Sequence, residues 1–81
     1  MTEESKDWRQ EDDALVRDFE FKDFAEAMSF VNRVADAAEE RNHHPDILVH
    51  GWNKVRLTVT NHSEGGITDA DFGLAHAIDA L

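Results

Sequence analysis

Eighty-one residues without a cysteine supply one modest hydrophobic core and no disulfide to brace it, so one domain over residues 1–81 is expected, reinforced as a homo-oligomer. Eight Lys and Arg against 18 Asp and Glu give a formal charge of −10, which repels phosphate backbones and anionic lipid and excludes nucleic acid as a direct partner. No apolar run approaches the ~20 residues of a membrane span and no basic-then-apolar leader opens the chain, so a cytoplasmic protein with no membrane partner is expected, its acidity serving solubility or a saline habitat.

Residues 1 to 7 (Met1 to Asp7) are polar and aperiodic, as a loose terminus would be. Trp8-Arg9-Gln10, the acidic Glu11-Asp12-Asp13 and the segment Ala14 to Phe21 read as strand, turn and strand. Leu15, Phe19 and Phe21 share a parity and one face, with Arg17 interrupting the apolar set. Asp23-Phe24-Ala25-Glu26 has capping-box spacing, which predicts a helix start. From Phe24 the residues Ala27, Met28, Val31, Val34, Ala35 and Ala38 recur at three- and four-residue steps, so the helix runs to about Glu40. Pro45 stops it, because the residue before a proline is forced out of helical geometry.

Ile47 to Trp52 reads as a third strand, with His50-Gly51-Trp52-Asn53 as a turn or bulge. Val55, Leu57 and Val59 alternate with Arg56, Thr58 and Thr60 as a half-buried fourth strand does. Ser63-Glu64-Gly65-Gly66 is a loop, and Thr68-Asp69-Ala70-Asp71 repeats the capping-box spacing before Phe72, Leu74, Ala75, Ile78 and Leu81. The predicted fold is α+β in the order β-β-α-β-β-α, a four-stranded antiparallel sheet with both helices on one face.

Five histidines are present, and His43, His44 and His62 fall at element ends, where sites are usually built. Imidazole, with an ordinary pKa of about 6.5, gives and takes protons near neutrality. Glu39 precedes His43 by four residues, so a helix persisting that far would pair them and orient the ring; an ordinary surface pair near a helix end has the same spacing. Pro45 restricts the backbone of His44 and so limits where the doublet points. A metal clip built from His43, His44, His50 and His62 is the chemical alternative, although adjacent histidines seldom converge on one ion. His62 has the opposite parity from the apolar set of its strand. Trp52 shares that parity, but ten residues of strand would separate the two by about 33 Å, which makes Trp52 a packing residue or a subunit contact. Asp71, at the third position after Thr68, is accounted for by the capping box, with a second role beside a histidine open. His76 reads as a helix-surface or interface residue and His50 as a strand or turn residue.

Glu39, His43-His44-Pro45, Trp52, His62 and Asp71, taken at their joint spacing, resemble the signature of the pterin-4a-carbinolamine dehydratases. The likeness extends over nearly the whole chain, through Trp8, Phe19-Glu20-Phe21, Lys22-Asp23-Phe24, Arg33-Val34-Ala35, Asn53-Lys54-Val55, Gly65-Gly66 and Thr68. It implies a four-stranded antiparallel sheet carrying helices on one face, and an enzyme that removes water from a 4a-hydroxytetrahydropterin to give quinonoid dihydropterin, with no metal or cofactor. It also implies His43, His44 and His62 as acid/base residues, Glu39 and Asp71 as supports, Pro45, Asn61, Ser63 and Glu64 at the pterin, and assembly as a dimer or tetramer. The same family includes a vertebrate coactivator branch, so a protein-interaction module, or a pterin-binding protein without turnover, is the alternative. Three departures stand out: the chain begins almost directly at Trp8 where many members carry a further helix, Asn61 replaces a frequent threonine, and the Pro45-to-Trp52 interval is long.

Overall fold

The computed structural model describes residues 8–60 and 66–81. Strands β1 (Arg9–Glu11) and β2 (Ala14–Glu20) lead into helix α1 (Phe24–Arg41), strands β3 (Asp46–His50) and β4 (Lys54–Thr60), and helix α2 (Asp69–Asp79). The four strands form one sheet in the order β1-β2-β4-β3, with every neighbouring pair antiparallel. The architecture expected from periodicity is thus the observed one. Element ends moved by one or two residues, most of all at β3, which begins at Asp46 and ends at His50 rather than running to Trp52.

Alternation builds the sheet. Val55, Leu57 and Val59 of β4 are fully buried and face the helices, packing with Leu15, Phe30, Val34, Leu74 and Ile78 into one core. Phe19 of β2 and Phe21, just past its end, join it, their rings 4.7 and 5.0 Å from that of Phe30. Arg17, which breaks the apolar stripe of β2, lies over the Phe19 ring at 4.5 Å and donates to Asp79 Oδ1 on α2 at 2.7 Å. The Trp8 indole N–H reaches the same oxygen at 2.8 Å. A charge on the core-facing side of a strand is tolerable because it is paired and its stem and face are packed.

On the opposite face of the sheet, Arg56 and Arg9 both reach Asp18, at 2.8 and 3.1 Å, linking β4, β1 and β2. The Arg56 guanidinium, followed by that of Arg9, holds the Asp18 carboxyl below the usual carboxylate range against a smaller opposing effect of desolvation.

The first capping box forms with one change of partner: the Glu26 amide donates to Asp23 Oδ1 at 2.8 Å, whereas the Glu26 carboxylate accepts from the Lys22 amide at 3.2 Å. Between β3 and β4 the turn places Gly51 (φ 55) and Trp52 (φ 56) in the left-handed region, a conformation that costs a bulky side chain about 1 kcal/mol or more. Buried Asn53 fixes the turn, since its side-chain amide donates to Phe21 O at 2.8 Å and its carbonyl accepts from the Phe21 amide at 2.9 Å. Trp52 is left 61% exposed, outside the core. Among the described residues no helix is long and apolar enough to cross a membrane.

Candidate active site

The end of α1 decides where the two adjacent histidines go. Asn42 is left-handed at φ 51, its amide donates to Glu39 O at 3.2 Å, and the His43 amide reaches back to Ala38 O at 3.1 Å. That six-to-one bond is the Schellman ending of a helix, and asparagine is, after glycine, the residue best suited to the left-handed step.

The step sends the side chains apart. His43 Nε2 lies 2.5 Å from Asp71 Oδ1, in the first turn of α2, while His44 Nε2 lies 2.8 Å from Glu39 Oε2. Helical spacing predicts a pair between Glu39 and His43. The structure instead pairs it with His44, because helical geometry lapses at Asn42 and the i, i+4 relation no longer holds.

Asp71 carries two duties through its two oxygens. Oδ1 takes the histidine, and Oδ2 accepts the Thr68 amide at 2.8 Å, with the Thr68 hydroxyl at 3.4 Å. Its side chain is fully buried, and these donors together with the N-terminal end of the α2 dipole offset the loss of water around the charge. The capping box is therefore real but incomplete as an explanation of Asp71, which also holds a histidine. As a carboxylate Asp71 can only accept, so His43 Nε2 carries the proton and the neutral ring keeps its lone pair on Nδ1.

The two pairs differ in access. The His43 side chain is 15% exposed, whereas His44 and Glu39 stand largely in solvent. Pro45, half-buried, follows His44 and leads into β3. His62, Asn61, Ser63 and Glu64 lie outside the described residues, as does the Met1-to-Asp7 segment. His50 ends β3 and His76 stands on α2, both exposed and neither joined to the pairs above. Among the described residues no three His, Asp or Glu side chains are grouped to hold a metal ion.

A cavity of about 540 Å³ lies elsewhere, between β1 and α2, with Trp8, Leu15, Phe72, Ala75, His76 and Asp79 among its walls. Its lining is mainly apolar and contains none of His43, His44, Glu39 or Asp71, so hydrogen-bond geometry rather than cavity size marks the candidate site. Asn42 and Thr68 also shape the site, Asn42 without any role expected from the sequence and Thr68 expected only as a helix cap. Asn42 was visible as the residue after a predicted helix end, where asparagine signals a left-handed cap. Thr68 was visible as an N-cap, although nothing in its identity announces that it would brace a histidine-bearing carboxylate.

The family model described as Pterin 4 alpha carbinolamine dehydratase matches residues 1–81. The chain belongs to this family. Among curated relatives, a protein of Thermomicrobium roseum named "Putative pterin-4-alpha-carbinolamine dehydratase" is 49% identical over the whole of this chain and 86% of its own length. One of the same name from Thermosynechococcus vestitus is 46% identical over 91% of this chain and 77% of its own. Of solved structures, the transcriptional coactivator/pterin dehydratase from Brucella melitensis superposes with a TM-score of 0.84 at 37% identity, covering 91% of this chain and 80% of the other. A pterin dehydratase-like protein identified as a RuBisCO assembly factor in the alpha-carboxysome superposes at 0.73 and 28% identity, covering 90% and 86%.

Proposed function

We propose that the chain dehydrates a 4a-hydroxytetrahydropterin to the quinonoid dihydropterin in tetrahydropterin recycling, as a 4a-hydroxytetrahydrobiopterin dehydratase (a lyase) acting through histidine acid/base catalysis. The observation that supports this most is the His43–Asp71 pair: a buried carboxylate, itself held by Thr68, orients one imidazole, while Glu39 holds that of the next residue, His44.

The reaction breaks the C4a–O bond. A proton must reach the departing hydroxyl so that it leaves as water, and a ring N–H of the pterin must give its proton to a base; both steps suit imidazole near neutrality. Asp71 leaves Nδ1 of His43 free to take or return a proton, and an imidazolium that forms there is stabilised by the carboxylate already in place. His44, His62 and His43 divide the acid and base roles, Glu39 and Asp71 position two of the rings, and Pro45, Asn61, Ser63 and Glu64 contact the pterin. The substrate is a small molecule taken from solution by a cytoplasmic homo-oligomer.

The test is the rate of 4a-hydroxytetrahydropterin dehydration with the wild type against the spontaneous rate, with His43→Ala as control. Acceleration that His43→Ala removes supports the reading; a wild-type rate equal to the spontaneous one refutes it.

A second reading, a pterin-binding or protein-interaction module without turnover, is favoured by the carboxysome relative that is described as an assembly factor. Saturable pterin binding without acceleration, or a stoichiometric protein partner retained when His43 is replaced, distinguishes it from the enzyme.

A further inference from the structure

The cavity between β1 and α2 takes no part in the chemistry of the histidine pairs. Its volume, about 540 Å³, is in the range that holds a small molecule, and its lining is mainly apolar. Trp8 and Phe72 both stand in its walls, yet neither ring stacks on another aromatic among the described residues, whereas Phe19, Phe21 and Phe30 stack together in the core. Phe72 is held there by the first turn of α2 and is 54% exposed. Two aromatic walls without aromatic partners offer faces and edges to a third ring.

One wall is charged. Asp79 is the last residue of α2, where the helix dipole disfavours a carboxylate, and its side chain is only 9% exposed. Arg17 and the Trp8 indole both donate to Oδ1, at 2.7 and 2.8 Å, while Oδ2 is buried with no hydrogen-bond partner among the described residues. A buried carboxylate oxygen without a donor is costly, and a donor brought from outside the chain offsets that cost. Trp8 precedes β1, outside the ladder of strand hydrogen bonds, and is only half-buried, so its ring is the part of the wall that can yield to admit a donor to Oδ2. Gln10 and His76, both exposed, are the other polar side chains of the lining.

We propose that this cavity is a binding site for a small aromatic amine, with its flat ring seated between Trp8 and Phe72 and its protonated nitrogen donating to Asp79 Oδ2. Charge selects the cation. The formal charge of −10 draws small cations toward the surface and repels anions, and the faces of Trp8 and Phe72 attract an ammonium group on its way to the carboxylate. An anion of the same shape would meet Asp79 directly. A neutral ring would fill the apolar space but leave Oδ2 with a weaker donor or none. The site shares no residue with the His43–Asp71 and His44–Glu39 pairs, so it stands or falls apart from the dehydration activity.

The Trp8 indole N–H reports on the site, because it is bonded to the carboxylate that the amine would engage. The chain has two tryptophans, so Trp52→Phe assigns its two indole signals in nitrogen-15 NMR spectra. Titration with naphthylmethylamine should shift the Trp8 indole signal saturably and leave the His43 ring signals in place. The corresponding alcohol should bind roughly tenfold more weakly, and naphthoate should not bind. Phe72→Ala, a change at an exposed position that spares the core, should weaken the amine by roughly tenfold. Asp79→Asn should abolish the preference for amine over alcohol, a ratio that a general loss of stability does not move. A Trp8 signal indifferent to the amine, equal affinity for amine, alcohol and naphthoate, or undiminished binding by Phe72→Ala overturns the proposal. So does a Trp8 signal that shifts on dilution of the protein alone, which would identify a second copy as the occupant, or nuclear Overhauser contacts from residues 2–7 to the Phe72 ring that the amine does not displace.

Discussion

Replacing Asp71 by Asn separates orientation from folding. Asn has nearly the same shape but offers one acceptor and one donor, where the carboxylate offers acceptors to His43 and to Thr68 at once. The Thr68 amide is a fixed backbone donor, so the Asn oxygen turns toward it and the NH₂ faces His43. The imidazole can meet a donor only with its Nε2 lone pair, so its proton moves to Nδ1, the atom that Asp71 leaves free to accept. On the proposed mechanism, in which His43 exchanges a proton with the pterin, the wrong tautomer should lower the dehydration rate by ~10²–10⁴, the usual range for losing a general acid or base. The cost to stability is the charge-assisted bond to His43, roughly 1.5–3 kcal/mol. An 81-residue domain has ~4–12 kcal/mol to lose, so most molecules remain folded while activity collapses. The assay is the dehydration rate at fixed pterin, with nitrogen-15 shifts of the His43 ring reporting the tautomer. A folded Asp71→Asn protein with a rate within a factor of about three of wild type, or with the proton still on Nε2, would refute the argument.

Other substitutions probe the scaffold. Asp79→Asn weakens a largely buried pair to Arg17 and a bond from the Trp8 indole, so stability should fall by ~2–4 kcal/mol, with a change in Trp8 emission read in a Trp52→Phe background. Gly73→Ala should raise the melting temperature by several degrees, since helix propensity gains up to about 1 kcal/mol and the new methyl would meet the end of the long Arg41 side chain at 3.1 Å, which a small shift of the guanidinium relieves. Asn42→Val should cost about 1–2 kcal/mol and reduce dehydration further than stability, because both histidines take their directions from that left-handed step, whereas Asn42→Gly should preserve both. Asp18, whose folded-state pKa is depressed chiefly by Arg56, contributes stability that is fully present above the ordinary aspartate value of about 3.9 and is lost as pH falls through the depressed one. Denaturant midpoints of wild type and Asp18→Asn should therefore differ at pH 6 and converge toward pH 2, with a smaller gap in high salt; a constant gap would contradict this.

Period-two and period-3.6 patterns made the elements legible because burial is the dominant force and each pattern has one way to present an apolar face. Val55, Leu57 and Val59 could only be a half-buried strand, and the α1 stripe from Phe24 to Ala38 only an amphipathic helix. What spacing could not give was direction beyond a helix end. The relation between Glu39 and His43 holds only while the helix lasts, and a single left-handed residue exchanges which histidine meets the glutamate. The partnership of His43 with Asp71 crosses 28 residues and depends on how α2 sits against α1, so no local rule contained it. Arg17 looked like an interruption for the same reason, since its partner Asp79 lies 62 residues away.

The arrangement couples the site to the helix layer. His43 projects from just past the end of α1 and Asp71 stands in the first turn of α2, so their distance is set by how Phe30, Val34 and Ala38 on one helix and Leu74 and Ile78 on the other bury against the sheet. A cavity opened between the helices, by Val34→Ala for example, would act on the 2.5 Å pair without touching either partner. The titratable groups of the candidate site are His43, His44, Glu39 and Asp71, but the geometry that those residues need is maintained by apolar positions whose identity says only that they are buried. For this reason core substitutions that spare every titratable group should still be read in the rate, and activity should fall before the sheet melts.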